Sequence, residues 1–236
     1  MGRLQDKVSI VTGASSGIGR AIALEFAQQG AIVVCANRVP EARIEIPTER
    51  ETNTHDLINQ NGGRSIFVKT DITKPEDIEG LVSRTVADFG RIDILINNAG
   101  ISLETRRQPL KIHETSLDDF DRTMDVNVRS IFLTCKHVIA QMLKQEPNDA
   151  GERGWIINMS SIIGLVGGYN LNAHTAIFEN TLSNMEVDLG AVRDLHPLKG
   201  IGKPRDIVGA AVFLASEEAG WVTGVNLPVD GGYTCR

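Results

Sequence analysis

The sequence predicts an α/β protein with a doubly wound parallel β-sheet and helices on both of its faces. Short apolar, β-branched runs alternate with helical patterns along the chain, and this rhythm is typical of a parallel sheet. A glycine-rich turn at residues 12–20 joins the first run to the first helical pattern. The length of 236 residues is enough for one such domain, and no internal repeat divides it. We therefore expect residues 1–236 to form a single domain that binds its ligand at the carboxyl edge of the sheet.

The composition narrows the classes of partner and location. The net charge is −6 and the isoelectric point is about 5.4, so no basic face for nucleic acid is expected. Three widely separated cysteines indicate a reducing compartment rather than a disulfide framework. No apolar run reaches membrane-spanning length, and residues 1–7 do not resemble a signal peptide. We therefore expect a cytoplasmic protein with neither a nucleic-acid nor a membrane partner.

The first βαβ unit carries the strongest local signal. A predicted strand at 7–11 leads through the glycine-rich turn into a helix that ends at Gly30, and a second strand follows at 31–36. The free N–H groups of the turn and the dipole of the helix favour a bound phosphate. The alternative is an ordinary turn that binds nothing, and the complete βαβ unit weakens that alternative.

The middle of the chain continues the alternation. A charged stretch at 41–54 is predicted to be a surface insertion. We then expect a helix at 54–60, a strand at 64–69, a helix at 75–89 and a strand at 92–97. A proline begins the third helix and glycines follow the second and third helices, as is typical of helix ends.

The second half of the chain contains longer helical patterns. We expect a helix at 116–144, a strand at 155–159 and a helix at 173–189. A helix at 203–215 and a last strand at 225–230 follow them. These elements extend the alternation, which favours one continuous sheet.

Several motifs resemble those of the short-chain dehydrogenase/reductase family. The matching residues are 12–19, 71, 97–100, 127, 160–161, 196–206 and 229–232. The resemblance implies a Rossmann-type fold and hydride transfer between a nicotinamide cofactor and a carbonyl or alcohol carbon of a small molecule. The insertion after the second strand looks like one in fungal members, which points to a role in secondary metabolism.

The resemblance also implies a set of cofactor-binding residues. The pyrophosphate and the adenosine ribose would be held by Gly13, Ser15 or Ser16, Ile18 and Gly19. Asp71 would hydrogen-bond the adenine, and Asn98 and Gly100 would line the ribose and nicotinamide side. The alternatives are that Asp71 caps a turn and that Asn98 serves a turn conformation.

The choice between NAD and NADP depends on the end of the second strand. A carboxylate at this place binds the 2′-hydroxyl of NAD and repels the 2′-phosphate of NADP. Asn37 stands there instead, followed by Arg38, which can pair with the phosphate. We therefore expect NADP(H), and NAD(H) is the alternative if Arg38 is only a solvated surface residue.

The catalytic residues match the family only in part. The resemblance implies that Ser161 polarises the substrate carbonyl and that Asn127 holds a helix distortion and a relay water. The family also has a Tyr-x-x-x-Lys pair, and its spacing places His174 and Phe178 at these two positions. Tyr169 lies five residues too early to face the same way on a helix. The proton donor would then be His174, Tyr169 or water. The alternative for His174 is that it is a structural or surface residue.

A second departure from the family lies between residues 187 and 197. The family has a strand, a Pro-Gly turn and a substrate-covering loop there, whereas this sequence runs almost at once into His196 and Pro197. We therefore expect the sixth strand and most of the substrate loop to be missing. The strand at 225–230 would then pair elsewhere or hang loosely. The two explanations are a genuine loss from the protein and a wrong splice junction in the gene model that gives the sequence.

Two functional hypotheses follow from these observations. The first is an NADP-dependent oxidoreductase that acts on a carbonyl or secondary alcohol. The second is a catalytically impaired relative that binds a nucleotide or pairs with an intact family member. The resemblance implies a homo-oligomer formed through the long helices, although the altered C-terminal region argues against a tetramer. Without the tyrosine and the lysine at their usual spacing, we expect very weak or no turnover.

Overall fold

A computed structural model of the chain describes most of its residues. The described residues are 2–43, 47–102, 112–165, 194–198, 200 and 202–235. The predicted helix at 173–189 lies outside them. Within these ranges, no helix is long and apolar enough to cross a membrane.

In the described part of the chain, five parallel strands form one sheet, in the order β3-β2-β1-β4-β5. The strands are β1 (Val8–Thr12), β2 (Ile32–Asn37), β3 (Arg64–Lys69), β4 (Ile94–Asn97) and β5 (Trp155–Asn158). Val11 of β1 lies between Cys35 of β2 and Ile96 of β4. The strand order reverses between β1 and β4, and helices therefore lie on opposite faces on either side of this point. The predicted α/β class with a parallel sheet is confirmed.

Helices alternate with the strands along the chain. They are α1 (Gly17–Gln28), α2 (Thr54–Gln60), α3 (Pro75–Phe89), α4 (Leu117–Met124), α5 (Ser130–Met142) and α6 (Pro204–Leu214). The ends of α3 follow from its sequence. Pro75 begins the helix, Glu76 and Asp77 complement the helix dipole in its first turn, and Gly90 ends it in the left-handed conformation at φ +81°.

The helices cover both faces of the sheet. On one face, Ile22 and Phe26 of α1 pack with Val212 of α6 against the strands, and all three are at most 2 % exposed. On the other face, Leu81 of α3 and Val138 of α5 are buried against the sheet. Because neighbouring residues of a strand point to opposite faces, β1 and β4 contribute buried side chains to both faces of the sheet.

The helix predicted at 116–144 is interrupted. α4 ends at Met124, a π-helical stretch occupies Asp125–Arg129, and α5 begins at Ser130. The apolar residues keep helical spacing through the interruption, which is why the pattern predicts one helix. The π-helical stretch has Asn127 at its centre. This is the helix distortion that the family resemblance implies.

The strand predicted at 225–230 is wrong. These residues form no strand, and Val225, Leu227 and Val229 are between 38 % and 52 % exposed. A strand forms where a neighbour completes its hydrogen-bond ladder, and among the described residues β5 is the outermost strand on this side of the sheet. The apolar, β-branched composition of the segment is therefore not sufficient to make it a strand.

Candidate active site

The glycine-rich turn after β1 leaves no room for side chains at two positions. Gly13 has φ +69°, and a Cβ atom added there would lie 2.9 Å from Asn98 Nδ2. A Cβ atom on Gly19 would collide with the carbonyl oxygen of Gly13 and with the same Asn98 nitrogen. The N–H of Gly13 donates to the carbonyl of Ala36 in β2 over 2.8 Å. The glycines thus bring the ends of β1 and β2, the residue after β4 and the start of α1 into contact.

Thr12 joins this turn to the residues that follow β4. Its hydroxyl accepts hydrogen bonds from the N–H groups of Asn98 (2.9 Å) and Ala99 (3.0 Å) and donates to the carbonyl of Ile96 (3.2 Å). The side-chain amide of Asn98 donates to the carbonyl of Thr12 over 3.0 Å. Asn98 therefore holds the turn conformation, and its contact with a cofactor stays a prediction. The role of Thr12 could not be inferred from the sequence because its partners lie more than 80 residues away.

The two serines of the turn have different surroundings. Ser15 is 2 % exposed, and its hydroxyl donates to the carbonyl of Val39 over 2.7 Å. Ser16 is half-buried, precedes α1 in an extended conformation and makes no side-chain bond to the helix N-terminus. Ile18 packs against the core. Of the two serines, Ser16 is therefore the more accessible to a ligand.

The end of β2 carries an amide followed by a cation. Oδ1 of Asn37 accepts from the N–H of Arg38 over 3.0 Å, and the Asn37 carbonyl accepts from the N–H of Thr70 over 2.8 Å. Arg38 is exposed and interacts electrostatically with Asp71. The residues predicted to choose the cofactor therefore lie close to the residue predicted to contact the adenine.

Asp71 lies in a tight turn after β3. Its Oδ1 accepts from the hydroxyl (2.7 Å) and the N–H (3.1 Å) of Thr73, and its own N–H donates to Asp77 Oδ2 over 2.8 Å. Partial burial opposes its charge, but the Thr73 hydrogen bonds and the charges of Arg38 and Lys74 outweigh burial and hold the pKa of Asp71 below its ordinary value. The turn-capping role is present in the structure, and the adenine contact stays a prediction.

Asn127 reaches the chain after β4 from the π-helical stretch. Its Nδ2 donates to the carbonyl of Ile101, and its Oδ1 accepts from the N–H of the same residue, each over 2.8 Å. Gly100 lies against it, because a Cβ atom there would be 3.3 Å from Asn127 Oδ1. Asn127 therefore positions the chain at Gly100, while its contact with a relay water stays a prediction.

Ser161 follows β5 at the same edge of the sheet. The N–H of Met159 donates to the carbonyl of Asn97 over 2.9 Å, which keeps the chain parallel to β4 just beyond the strand. The carbonyl of Ser161 then accepts from the N–H of Gly164 over 3.0 Å and begins a short 3₁₀ turn. Ser161 is half-buried, so its side chain is partly accessible at this edge.

The predicted site residues meet at one edge of the sheet. At the carboxyl ends of the strands, or just after them, lie the glycine-rich turn, Asn37, Asp71, Asn98 and Ser161. Open parallel sheets bind ligands at this edge, where the strand order reverses. Outside the described residues lie the two candidate proton donors, His174 and Tyr169, and Phe178, which stands where the family has its lysine.

Glu49 was not predicted to take part in this region. Its Oε2 accepts a hydrogen bond from the N–H of Gly17, the first residue of α1, over 2.9 Å. The contact joins the charged insertion to the glycine-rich turn. Because the partners are 32 residues apart, no local pattern in the sequence indicates it.

Two family models match the chain. The model for short chain dehydrogenase matches residues 7–176, and the model for enoyl-(acyl carrier protein) reductase matches residues 174–234. The chain belongs to the short-chain dehydrogenase/reductase family. The family resemblance of the motifs is thereby confirmed, and with it the oxidoreductase class.

Relatives of this short-chain dehydrogenase/reductase cover nearly its whole length. An uncharacterized oxidoreductase of Thermotoga maritima is 36 % identical, with 98 % of both chains covered. Glucose 1-dehydrogenase 2 of Bacillus subtilis is 33 % identical, with 98 % of this chain and 96 % of that protein covered. The first alignment spans 267 positions, more than the 236 residues of this chain, so that relative contains residues that this chain lacks.

A solved structure shares the fold. A 7α-hydroxysteroid dehydrogenase complexed with NADH and 7-oxo glycochenodeoxycholic acid matches with a TM-score of 0.78 at 27 % identity. The match covers 98 % of this chain and 95 % of that one. This chain therefore shares the overall fold of that dehydrogenase.

Proposed function

We propose that this chain is an NAD(P)-dependent oxidoreductase that interconverts a carbonyl and a secondary alcohol on a small molecule. The observation that carries the proposal is the single sheet edge at which the glycine-rich turn, Asp71 and Ser161 meet. The named activities of the relatives, glucose dehydrogenation and hydroxysteroid dehydrogenation, support the same reaction class.

The turn fits a bound dinucleotide. Gly13 and Gly19 are packed so closely that no Cβ atom fits, whereas a Cβ atom on Gly17 would meet nothing within 4 Å. The space beside Gly17 is therefore open, although its own N–H donates to Glu49. The N–H groups and the dipole at the start of α1 favour a phosphate. When bound, a nicotinamide supplies or accepts the hydride. The neighbour with NADH supports this class of cofactor.

The chain's own residues bind, orient and move a proton in this proposal. Ser161 donates a hydrogen bond to the substrate oxygen, which polarises the carbonyl. Asn127 holds Ile101 and, through it, the chain beside the nicotinamide. His174, Tyr169 or water supplies the proton to the alcohol oxygen.

Within this proposal, NADP(H) is preferred to NAD(H). Asn37 gives the end of β2 no carboxylate that would repel a 2′-phosphate. Arg38 is exposed beside it and can pair with that phosphate.

A homo-oligomer and a cytoplasmic location complete the proposal. Apolar side chains more than half exposed line α4, the π-helical stretch, α5 and the residue that follows α5: Leu117, Phe120, Val128, Phe132 and Leu143. A second copy that covers this surface would remove it from water. The three cysteines are free thiols, which agrees with a reducing compartment. The secondary-metabolite role rests on the charged insertion alone.

A fluorescence titration of the monodisperse chain with NADPH and then NADH tests the proposal. We expect saturable binding of both, with NADPH bound more tightly. Single-turnover mixing with a panel of sugars and oxosteroids then measures hydride transfer, which we expect to be slow. If neither cofactor binds, the proposal is wrong. If both bind and no carbonyl or alcohol is ever turned over, the chain is instead the nucleotide-binding relative without catalysis.

A further inference from the structure

The carboxylate of Glu49 occupies a backbone donor at the N-terminus of α1. Glu49 ends a short 3₁₀ turn at Pro47–Glu49, is half-buried, and its Oε2 accepts from the N–H of Gly17 over 2.9 Å. Gly17 is the first residue of α1, so its N–H is one of the donors that have no partner within the helix. The first turn of α1 has no acidic residue of its own, and Ser16 adds no side-chain bond. Glu49 therefore complements the helix dipole from outside the helix.

A carboxylate and a phosphate compete for this end of the helix. In a βαβ unit with a glycine-rich turn, the pyrophosphate of a dinucleotide lies at the N-terminus of the first helix and accepts from its free N–H groups. The Glu49 carboxylate is an anion with the same kind of charged acceptor oxygen, and it already accepts from Gly17. Because the two anions also repel each other, a dinucleotide binds here only when Glu49 has moved away.

The Glu49 side chain is able to leave at the cost of one hydrogen bond. Among the described residues, its bond to Gly17 is the one hydrogen bond that joins residues 47–52 to the rest of the chain. The chain on either side is attached to the same turn at Val39 and at Thr54, through bonds of 2.7 Å and 2.8 Å that do not involve Glu49. Displacement of the carboxylate therefore leaves both attachments intact.

We propose that Glu49 is an internal competitor of the dinucleotide, which occupies the phosphate-binding end of α1 in the free protein and is displaced when a cofactor binds. The inference rests on the proposed dinucleotide site. The carboxylate weakens the binding of NAD(H) and NADP(H) to the same extent, because their pyrophosphate groups are identical. Removal of the Glu49 carboxylate therefore strengthens the binding of both cofactors without changing the preference between them.

The test compares Glu49→Ala and Glu49→Gln with the control Glu51→Ala. Glu51 has the same charge, belongs to the same insertion and is exposed. Each protein is titrated calorimetrically with NADPH, NADH, ADP and adenosine. Both Glu49 variants are expected to bind NADPH, NADH and ADP about three- to tenfold more tightly, and adenosine, which has no phosphate, with unchanged affinity. Glu51→Ala is expected to change each affinity by less than about twofold.

Thermal unfolding of the free proteins separates competition from helix capping alone. Glu49→Ala leaves the N–H of Gly17 without its acceptor, so this variant should unfold at a lower temperature than the unmodified protein. If Glu49 only caps α1, cofactor affinity falls with stability or stays constant. Competition predicts instead that cofactor affinity rises while the stability of the free protein falls.

Each outcome decides the question. Tighter binding of the three phosphate ligands in the Glu49 variants alone supports the inference. Constant or weaker binding in these variants overturns it, and so does an equal gain in Glu51→Ala or an equal gain for adenosine. If the unmodified protein binds both cofactors and the Glu49 variants show no gain, only the inference fails. If no protein binds a dinucleotide, the inference and the proposed function both fail, whereas binding by the Glu49 variants alone supports both.

Discussion

The centre of the sheet and the segment that follows α6 differ in how deeply their apolar residues are buried. Every residue of β1 is buried between β2 and β4. β5, at the margin among the described residues, is only half-buried and ends at an exposed Asn158. Trp221 is fully exposed and Val225 is 52 % exposed. A β-branched run is therefore buried by its neighbours, and its own composition does not guarantee burial.

The C-terminal segment nevertheless keeps local structure. The carboxylate of Asp230 accepts from the N–H of Gly232 (3.0 Å) and from the N–H (2.9 Å) and hydroxyl (2.7 Å) of Thr234. The N–H of Leu198 donates to the carbonyl of Gly231 over 3.0 Å. The C-terminal segment therefore forms hydrogen bonds without a place in the sheet, whereas the centre of the sheet is held by the packing of neighbouring strands and helices.

The largest contrast is expected from deleting one aromatic side chain in each region. Phe26 is fully buried, so Phe26→Ala should lower the free energy of unfolding by about 3–5 kcal/mol. Trp221 is fully exposed, so Trp221→Ala should change it by no more than about 0.5 kcal/mol. Urea unfolding followed by circular dichroism measures both. A loss from Trp221→Ala comparable to that from Phe26→Ala would contradict this difference between the buried centre and the exposed segment.

A smaller effect is expected from the hydroxyl that joins two strand ends. Thr12→Val removes the acceptor for the N–H groups of Asn98 and Ala99 with little change in volume. We expect unfolding free energy to fall by about 1–3 kcal/mol, because buried donors lose their partner, and cofactor affinity to fall with it. Thr12→Ser keeps the hydroxyl and serves as the control. Equal losses in the two variants would show that the methyl group matters instead.

The smallest effects are expected from two aspartates, one in each region. Hydrogen bonds from Thr73 and Thr234 outweigh the opposing effect of burial and hold the pKa values of Asp71 and Asp230 below the ordinary value. The folded pKa of each is thus below the unfolded value of about 3.9. Above that pH, each carboxylate therefore stabilises the turn that it caps, and this contribution is lost as the pH falls through the folded pKa.

Asparagine variants measure how each region is coupled to global unfolding. Asp71→Asn should lower the free energy of unfolding at pH 7 and flatten its dependence on pH below about 4. Asp230→Asn should leave the global transition almost unchanged, because its turn lies in the segment that forms no strand. Urea titrations between pH 3 and pH 7 give both results. Equal shifts would place the C-terminal segment inside the cooperative core.

Much of the fold could be predicted because local signals and tertiary structure agree. The strand Arg64–Lys69 and the helices Thr54–Gln60 and Pro75–Phe89 have the predicted bounds, since their alternation, caps and glycines are all encoded nearby. The helix interruption at Asp125–Arg129 preserves the apolar spacing, so periodicity does not reveal it. The strand predicted at 225–230 failed because a strand also needs a partner, which composition does not record.

The candidate site likewise has some features that the sequence predicts and others that only the folded chain shows. Its glycines and its sheet edge follow from a short motif, and the structure has both where the motif predicts them. The bonds of Thr12 to Asn98 and of Glu49 to Gly17 join residues far apart in sequence, so only the folded chain brings them together.

The hydroxyl of Thr12 has a consequence for how the site opens. The N–H groups of Asn98 and Ala99, both in the loop after β4, share this one acceptor at the end of β1. If the loop moves away from β1, both N–H groups therefore lose their acceptor together. Their amide hydrogens should therefore exchange with solvent as one cooperative unit, at the free energy of a shared local opening. A ligand held by the loop after β1 would slow exchange in the loop after β4, and the two loops respond to it as a single element.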